Sequence, residues 1–311
     1  MPDKPTLNSA ALGIDLMIAK LLPDPIRGSD ESDVIHGTEA PEIIWGLDGE
    51  DFIYAGDGDD EVHGGDADDR IFGEGGNDAL FGNAGDDTIL GGDGDDFIKG
   101  GSKFDWVGDT RGSGDDYLNG GNGNDTILGG DGNDQLEGGN GDDSIFGGDG
   151  DDIIHGGVNT RYHSYAADGD DVISGGDGND TIFGGAGDDQ IFGDGGDDTI
   201  RGDVGSDIIN GGGGNDTLTG NGWSYLNPNI IGADTFAFED GLGHDRITDF
   251  DLGLDQIDLS QVSYANAFAD LAISANGNDT VISFATPYFG GASITLEDIQ
   301  PGDLSAADFV F

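Results

Sequence analysis

The stretch Gly91-Gly92-Asp93-Gly94-Asp95-Asp96-Phe97-Ile98-Lys99 returns as Gly147-Gly148-Asp149-Gly150-Asp151-Asp152-Ile153-Ile154-His155. The shared form is G-G-x-G-x-D-x-U-x, where U is a large aliphatic residue. It begins at Gly28: residues 28–99 hold eight uninterrupted units, 120–155 four and 175–219 five. Three more units, opening at Gly100, Gly156 and Gly220, are stretched by insertions near 102–113, 158–168 and 222–231. Position six is Asp in nineteen of the twenty units: Asp33, Asp51, Asp60, Asp69, Asp78, Asp87, Asp96, Asp116, Asp125, Asp134, Asp143, Asp152, Asp171, Asp180, Asp189, Asp198, Asp207, Asp216 and Asp234. Glu42 is the exception. Position eight is Ile, Val or Leu throughout, except for Phe236 in the last unit.

A fixed short period is the mark of a repeat architecture. Glycines at one, two and four let the backbone make a crowded turn. The x-U-x that follows reads as a three-residue strand whose middle side chain points away from its neighbours. Two units then make one coil, and stacked coils make two parallel sheets with the position-eight residues between them. The predicted fold is therefore all-β: a parallel β-roll of about 4.8 Å per coil. Turns alternate between its two edges, so the first insertion lies on the edge opposite the other two.

Composition alone points elsewhere. The 311 residues carry 65 Asp+Glu against 10 Lys+Arg, a formal net charge of −55, with 62 glycines and only 34% hydrophobic residues. Such chains are commonly disordered, through self-repulsion and lack of apolar surface. The charge excludes nucleic acid as a partner, because no basic patch offsets it. No apolar run approaches the roughly 18 residues of a transmembrane helix. With no cysteine, disulfides and thiolate sites are excluded. A core of one aliphatic side chain per nine residues is too thin to order so many glycines and acids. The turns must bind something, and hard oxygen donors in flexible turns suit Ca²⁺ or Mg²⁺ rather than transition metals, Ca²⁺ best.

These repeats resemble the RTX (repeats-in-toxin) family, whose nonapeptide is this one. The resemblance implies a parallel β-roll with a dozen or more Ca²⁺ ions held between turns of successive coils on the same edge. It makes the position-six Asp residues ligands and leaves Glu42 doubtful. The first two units, Gly28-Ser29-Asp30-Glu31-Ser32-Asp33 and Gly37-Thr38-Glu39-Ala40-Pro41-Glu42, lack most of the glycines, so the first coil is expected to bind weakly or not at all. Sites near 10⁻⁴ M would contribute on the order of 1–3 kcal/mol each in millimolar calcium, and nothing at cytosolic calcium. The chain is therefore expected to be unfolded inside the cell and folded outside.

The ends read differently. Over residues 1–27 the spacing of Leu7, Ala10, Ala11, Ile14, Met17, Ile18, Leu21 and Leu22 predicts a helix, stopped by Pro23 and Pro25 and expected to cap the roll. The roll proper is assigned to 28–237. Residues 238–311 alternate apolar and polar residues and are expected to form longer strands, a richer core and a β-sandwich-like cap. The segment from 234 onward resembles the carboxy-terminal domain of serralysin-type proteases, an uncleaved type I secretion signal ending here in Asp308-Phe309-Val310-Phe311. In it Asp245, Asp249, Asp255 and Asp258 are further candidate ligands. The layout resembles that of rhizobial nodulation protein O, in architecture only. Together with the lack of a secretory signal pattern, this implies a monomer secreted from a Gram-negative bacterium through an ABC exporter, with an extracellular glycan or cell-surface partner.

No catalytic motif is visible: there is no H-E-x-x-H and no G-x-S-x-G. The expected function is a non-enzymatic calcium-binding module for adhesion, structure or host interaction. The alternative is a secreted enzyme acting on acidic glycans through the aromatic insertions, whose candidate contacts are Phe104, Trp106, Arg161, Tyr162, Trp223 and Tyr225. Outward-facing position nine would align Tyr54, Phe72 and Leu90 on one sheet and Trp45 with Phe81 on the other, more to stabilise the sheets than to bind a partner.

Overall fold

The computed structural model describes residues 25–101, 114–157, 169–221, 232–284 and 291–311. The helix expected over Leu7–Leu22 and the candidate contacts Phe104, Trp106, Arg161, Tyr162, Trp223 and Tyr225 lie outside these residues.

The coils wind as the period demands. Strands such as Ile43–Asp48 and Glu61–Asp66 join one sheet, while the intervening Phe52–Asp57 and Arg70–Gly75 join the other. Ile44 pairs with Val62 and Ile53 with Ile71, each eighteen positions on and all parallel. The strands are twice as long as predicted, six residues rather than three. The opening glycines of the next unit also join the ladder: Gly28 N–H donates to Trp45 O at 2.8 Å and Gly37 N–H to Tyr54 O at 2.7 Å. Even Gly58, at position four, donates to Gly75 O at 2.7 Å. So the glycines extend the sheet into the turn as well as bending it. Position-two Gly92 (φ 112–137° is typical of its equivalents such as Gly121 and Gly65) and position-four Gly94 (φ 128°) hold the left-handed backbone that this bend requires.

One sheet has 13 strands and the other 14. Between them runs a file of position-eight residues, from Ile44 through Ile127 to Ile209, each at most 1% exposed. The register holds across the insertions: Leu118 pairs with Ile89 although they lie on either side of 102–113. The first rung is Ile26–Arg27, which pairs with Ile44 and Trp45. The solenoid therefore begins inside the segment 1–27 assigned to a cap.

Neither sheet breaks at residue 238. Thr235–Glu239, Gln256–Gln261 and the terminal Phe309–Val310 add parallel rungs to the first sheet, and His244–Ile247 and Ala292–Leu296 to the second. Only then does the second sheet turn antiparallel, through Asp279–Phe284 and Ala272–Asn276. The core is richer here, with Phe236, Phe238, Phe250, Phe284 and Phe309 buried. The strands are no longer than six residues, because they must keep the rung length of the roll they continue. Two short 3₁₀ turns, Phe268–Asp270 and Ala306–Asp308, are the only helical elements among the described residues. No helix among those residues is long and apolar enough to cross a membrane.

Candidate metal centre

The position-six residues gather in two columns, one along each edge. Each sits at the mouth of a strand whose position-eight neighbour is locked in the core, so its side chain turns inward. Asp51, Asp69, Asp134, Asp152, Asp198 and their equivalents are 0–3% exposed. One carboxylate oxygen of each belongs to the scaffold. Asp33 N–H donates to Asp51 Oδ1, Asp51 N–H to Asp69 Oδ1 and Asp69 N–H to Asp87 Oδ1, all at 2.8 Å. The bond survives the insertions, as from Asp87 N–H to Asp116 Oδ1 (2.7 Å) and from Asp143 N–H to Asp171 Oδ1 (2.8 Å).

The other oxygen does not. Oδ2 of Asp51, Asp60, Asp69, Asp78, Asp87, Asp96, Asp125, Asp134, Asp152, Asp180, Asp198, Asp207, Asp216 and Asp245 is buried with no hydrogen-bond partner. What faces it is another acceptor. A Cβ built on Gly147 would lie 2.3 Å from Asp152 Oδ2 and 2.4 Å from the carbonyl oxygen of Gly175 in the next coil. At Gly129 the same distances are 2.2 Å to Asp134 Oδ2 and 2.5 Å to Gly147 O. A carboxylate and a carbonyl thus converge on a space that only glycine leaves open. The carbonyl keeps its ladder bond, as Gly129 O does with Gly101 N–H at 3.0 Å, but the buried carboxylate oxygen beside it has no donor and is costly unless a cation meets it.

The acidities agree. Burial, opposed by the accepted N–H and reinforced by neighbouring carboxylates, pushes Asp87 up to about 9 and Asp116 and Asp207 to about 8. It pushes Asp69, Asp152, Asp198 and Asp245 to about 7. As bare anions these groups do not suit their sites. Among the described residues no three His, Cys, Asp or Glu side chains converge as a metal-binding group. A cation here must draw most of its ligands from backbone carbonyls, which selects a hard ion accepting irregular oxygen coordination, Ca²⁺ before Zn²⁺ or copper.

The ends of the columns depart from the pattern. Asp33 closes on its own turn, its Oδ2 accepting Ser29 N–H at 2.6 Å and Ser29 Oγ–H at 2.8 Å. Glu42 likewise accepts Thr38 N–H (2.9 Å) and the Thr38 hydroxyl. Serine and threonine at position two thus supply the donors that glycine cannot. At the far end Asp234 Oδ2 accepts Asn221 Nδ2–H at 3.0 Å. Asp245 and Asp255 continue the two columns, accepting the N–H of Asp216 (3.2 Å) and Asp234 (3.0 Å). Their signal in the sequence is the surviving G-x-D-x-U spacing of Gly243-His244-Asp245-Arg246-Ile247 and Gly253-Leu254-Asp255-Gln256-Ile257. Asp249 and Asp258 leave the columns. Asp249 accepts the N–H groups of Gly220 and Asn221, each at 2.8 Å, and Asp258 that of Ser260.

The position-nine side chains form stacks along the outer faces. Trp45, His63 and Phe81 follow at centroid spacings of 4.1 and 4.9 Å on one sheet, and His36, Tyr54 and Phe72 at 4.9 Å on the other. Each ring covers the next, and the Arg27 guanidinium lies over Trp45 at 5.8 Å. Face-to-face stacking leaves ring edges outward and ring faces covered, which suits sheet stabilisation rather than a platform for sugar rings.

Comparison with known proteins agrees with the repeat. The model of the RTX calcium-binding nonapeptide repeat (4 copies) matches residues 36–71, 45–80, 72–107, 112–136, 128–159, 165–200 and 192–222, more than half of the chain. No curated protein matches. Similar solved structures include the AlgE6R3 subunit of the Azotobacter vinelandii mannuronan C5-epimerase, 28% identical over 52% of this chain and 79% of that one, with a TM-score of 0.32. The AlgE6R2 subunit of the same enzyme is 27% identical over 54% and 91%, with a TM-score of 0.25. The extracellular lipase LipA of Serratia marcescens is 15% identical over 93% of this chain and 40% of that one, with a TM-score of 0.21. The matched repeats are those whose turns bring carboxylate and carbonyl oxygens together, and the chain belongs to the RTX calcium-binding nonapeptide repeat family, as a calcium-binding parallel β-roll.

Proposed function

We propose that the protein is a secreted module that folds on extracellular calcium and acts without catalysis, by adhesion, as a structural element or at a host surface. One observation carries the reading: buried Asp Oδ2 atoms without a hydrogen-bond partner, as at Asp51, Asp69, Asp134 and Asp152, set beside carbonyl oxygens of the next coil. In this reading the position-six carboxylates from Asp51 to Asp216, extended by Asp245, are ligands; Asp234 and Asp255 are not, because Asn221 Nδ2–H and Asp251 N–H already occupy their Oδ2 atoms at 3.0 and 2.7 Å. Asp33 and Glu42 are not, because their own turns already satisfy them. Bound calcium supplies the positive charge that these oxygens lack.

The chain's own groups do the rest. Each Asp orients its Oδ2 by spending Oδ1 on the N–H of the preceding coil, and the glycine at position one leaves the space open. Without calcium the same carboxylates repel one another and keep the chain expanded, the state that passage through a type I ABC exporter requires. Family members are typically extracellular bacterial proteins, which supports that route. The residues before Ile26 then serve as a cap, and 238–311, after continuing the roll, as both cap and export signal.

Circular dichroism at pH 8 in EGTA and then in millimolar CaCl₂ tests the folding claim: at that pH β signal is expected only with calcium, and equal signal in both would refute it. Export is tested by deleting about the last fifty residues; continued secretion from a host carrying the exporter would refute the signal assignment.

A further inference from the structure

A second pair of columns runs beside the carboxylates. From the fourth unit onward position five is Asp or Asn, except at Ser206 and Ala233. Its side-chain oxygen accepts the N–H of position five in the following coil. The direction is opposite to that of position six, whose oxygen accepts from the preceding coil. Every coil is thereby tied to both neighbours.

The bond is indifferent to charge. Asn133 and Asn179 accept at 2.9 and 2.7 Å, Asp142 and Asp188 at 3.1 and 2.8 Å. Ser206 accepts through its hydroxyl at 3.1 Å. What the position supplies is an acceptor, which explains why Asp, Asn and once Ser stand there.

The insertions show where this matters most. Each replaces position three of its unit, so the chain re-enters the turn with no covalent register from the preceding strand. The re-entering residues are Gly114-Asp115, Gly169-Asp170 and Gly232-Ala233. In each case the position-five N–H is caught by the previous coil on that edge: Asp115 by Asp86, Asp170 by Asp142 and Ala233 by Ser206. One residue later the carboxylates of Asp116, Asp171 and Asp234 stand in their columns.

We propose that position five is a register latch: its side-chain oxygen positions the next coil's turn, above all at Asp86, Asp142 and Ser206, which catch the chain as it leaves an insertion. The inference rests on the calcium reading only in that the turn so placed is the one carrying a ligand. Asp142 is a positioning residue, and its role is separable from that of a ligand. At a ligand position the charge is needed, so Asn does not replace Asp; at a latch Asn does.

The test uses the full chain in calcium, with Asp142→Ala, Asp142→Asn and Asp142→Ser, and Asp152→Asn as the ligand contrast. Amide hydrogen exchange of peptides spanning 169–171 and the thermal midpoint are read. Asp142→Ala is expected to speed local exchange about tenfold, the factor one hydrogen bond is worth. Asp142→Asn stays within about threefold of wild type, whereas Asp152→Asn lowers the midpoint. Equal damage from Asn and Ala at 142, or no effect of Ala, overturns the latch. If Asp142→Ala does not fold, Asp142→Ser decides: near-native exchange supports the latch, and loss of the fold overturns it. A wild-type chain indifferent to calcium overturns the calcium reading alone, since the exchange comparison still decides the latch.

Discussion

Gly147→Ala should damage this protein far out of proportion to one methyl group. The added Cβ would stand 2.3 Å from Asp152 Oδ2 and 2.4 Å from Gly175 O, whereas carbon–oxygen contacts rarely close below about 3.2 Å. Neither oxygen can retreat. Asp152 Oδ1 is held by Asp134 N–H at 2.8 Å, and Gly175 lies within the strand Val172–Asp177. Overpacking of this kind costs about 1–3 kcal/mol. The same methyl fills the space where the two oxygens converge, removing a calcium contribution of about 1–3 kcal/mol. The entropy lost from the unfolded chain returns at most about 1 kcal/mol. The net loss is about 1–6 kcal/mol.

Gly302→Ala is the internal control, since its Cβ meets nothing within 4 Å and its backbone is not left-handed. It should be neutral or stabilising by up to about 1 kcal/mol. Urea unfolding at fixed calcium, followed by circular dichroism, reads both. The calcium midpoint is the weaker readout, because an energy change shared among many ions moves it little. In a solenoid each coil contacts only its neighbours, so the coils beside Gly147 should unfold first and broaden the transition. A Gly147→Ala protein with the urea midpoint and bound calcium of Gly302→Ala would refute the convergence of oxygens that underlies the calcium reading.

Three further outcomes follow from the same geometry. Asp134→Asn should lose bound calcium by equilibrium dialysis and atomic emission, while Asp33→Asn, whose carboxylate Ser29 already satisfies, should lose none. Asp249→Ala strips two inward N–H groups, those of Gly220 and Asn221, of their acceptor and should cost about 2–4 kcal/mol, measured by thermal unfolding in calcium. In EGTA the pH dependence should run opposite to that of an ordinary acidic protein. Burial raises the folded-state values of Asp69, Asp87 and Asp207 to about 7, 9 and 8, so protonation favours the fold. Their contribution is complete below about 4 and vanishes as pH rises through about 7–9. Circular dichroism from pH 8 down to 4.5 without calcium should gain β signal, and a loss of signal on acidification would contradict the burial of these groups.

The repeat was legible because every copy restates it. Ile44, Ile127 and Ile209 share one environment, so the sequence could place them in the core without knowing their neighbours. Asp245 and Asp255 were legible only in part: Gly243 and Gly253 still stand at position four before them, but the opening glycine is gone and no further unit follows in step. The strand length was misjudged because glycine is read as a breaker, while here its N–H continues the ladder, as Gly28 does to Trp45 O. The position-five latch was hidden because its partner lies one coil away, 18 residues on for Asp59 and Asn77.

Sequence by itself determined the period, the core file, the acidic turns and the need for a cation, since each is a property of a single unit. Tertiary structure alone decided which oxygen of Asp51, Asp69 or Asp134 belongs to the scaffold and which is left over, since the donor is one coil away and not in the unit. That partner lies 18 residues away in most coils but 29 for Asp87 and Asp116. No spacing in the chain distinguishes Oδ1 from Oδ2; the stacking of one coil on the next does.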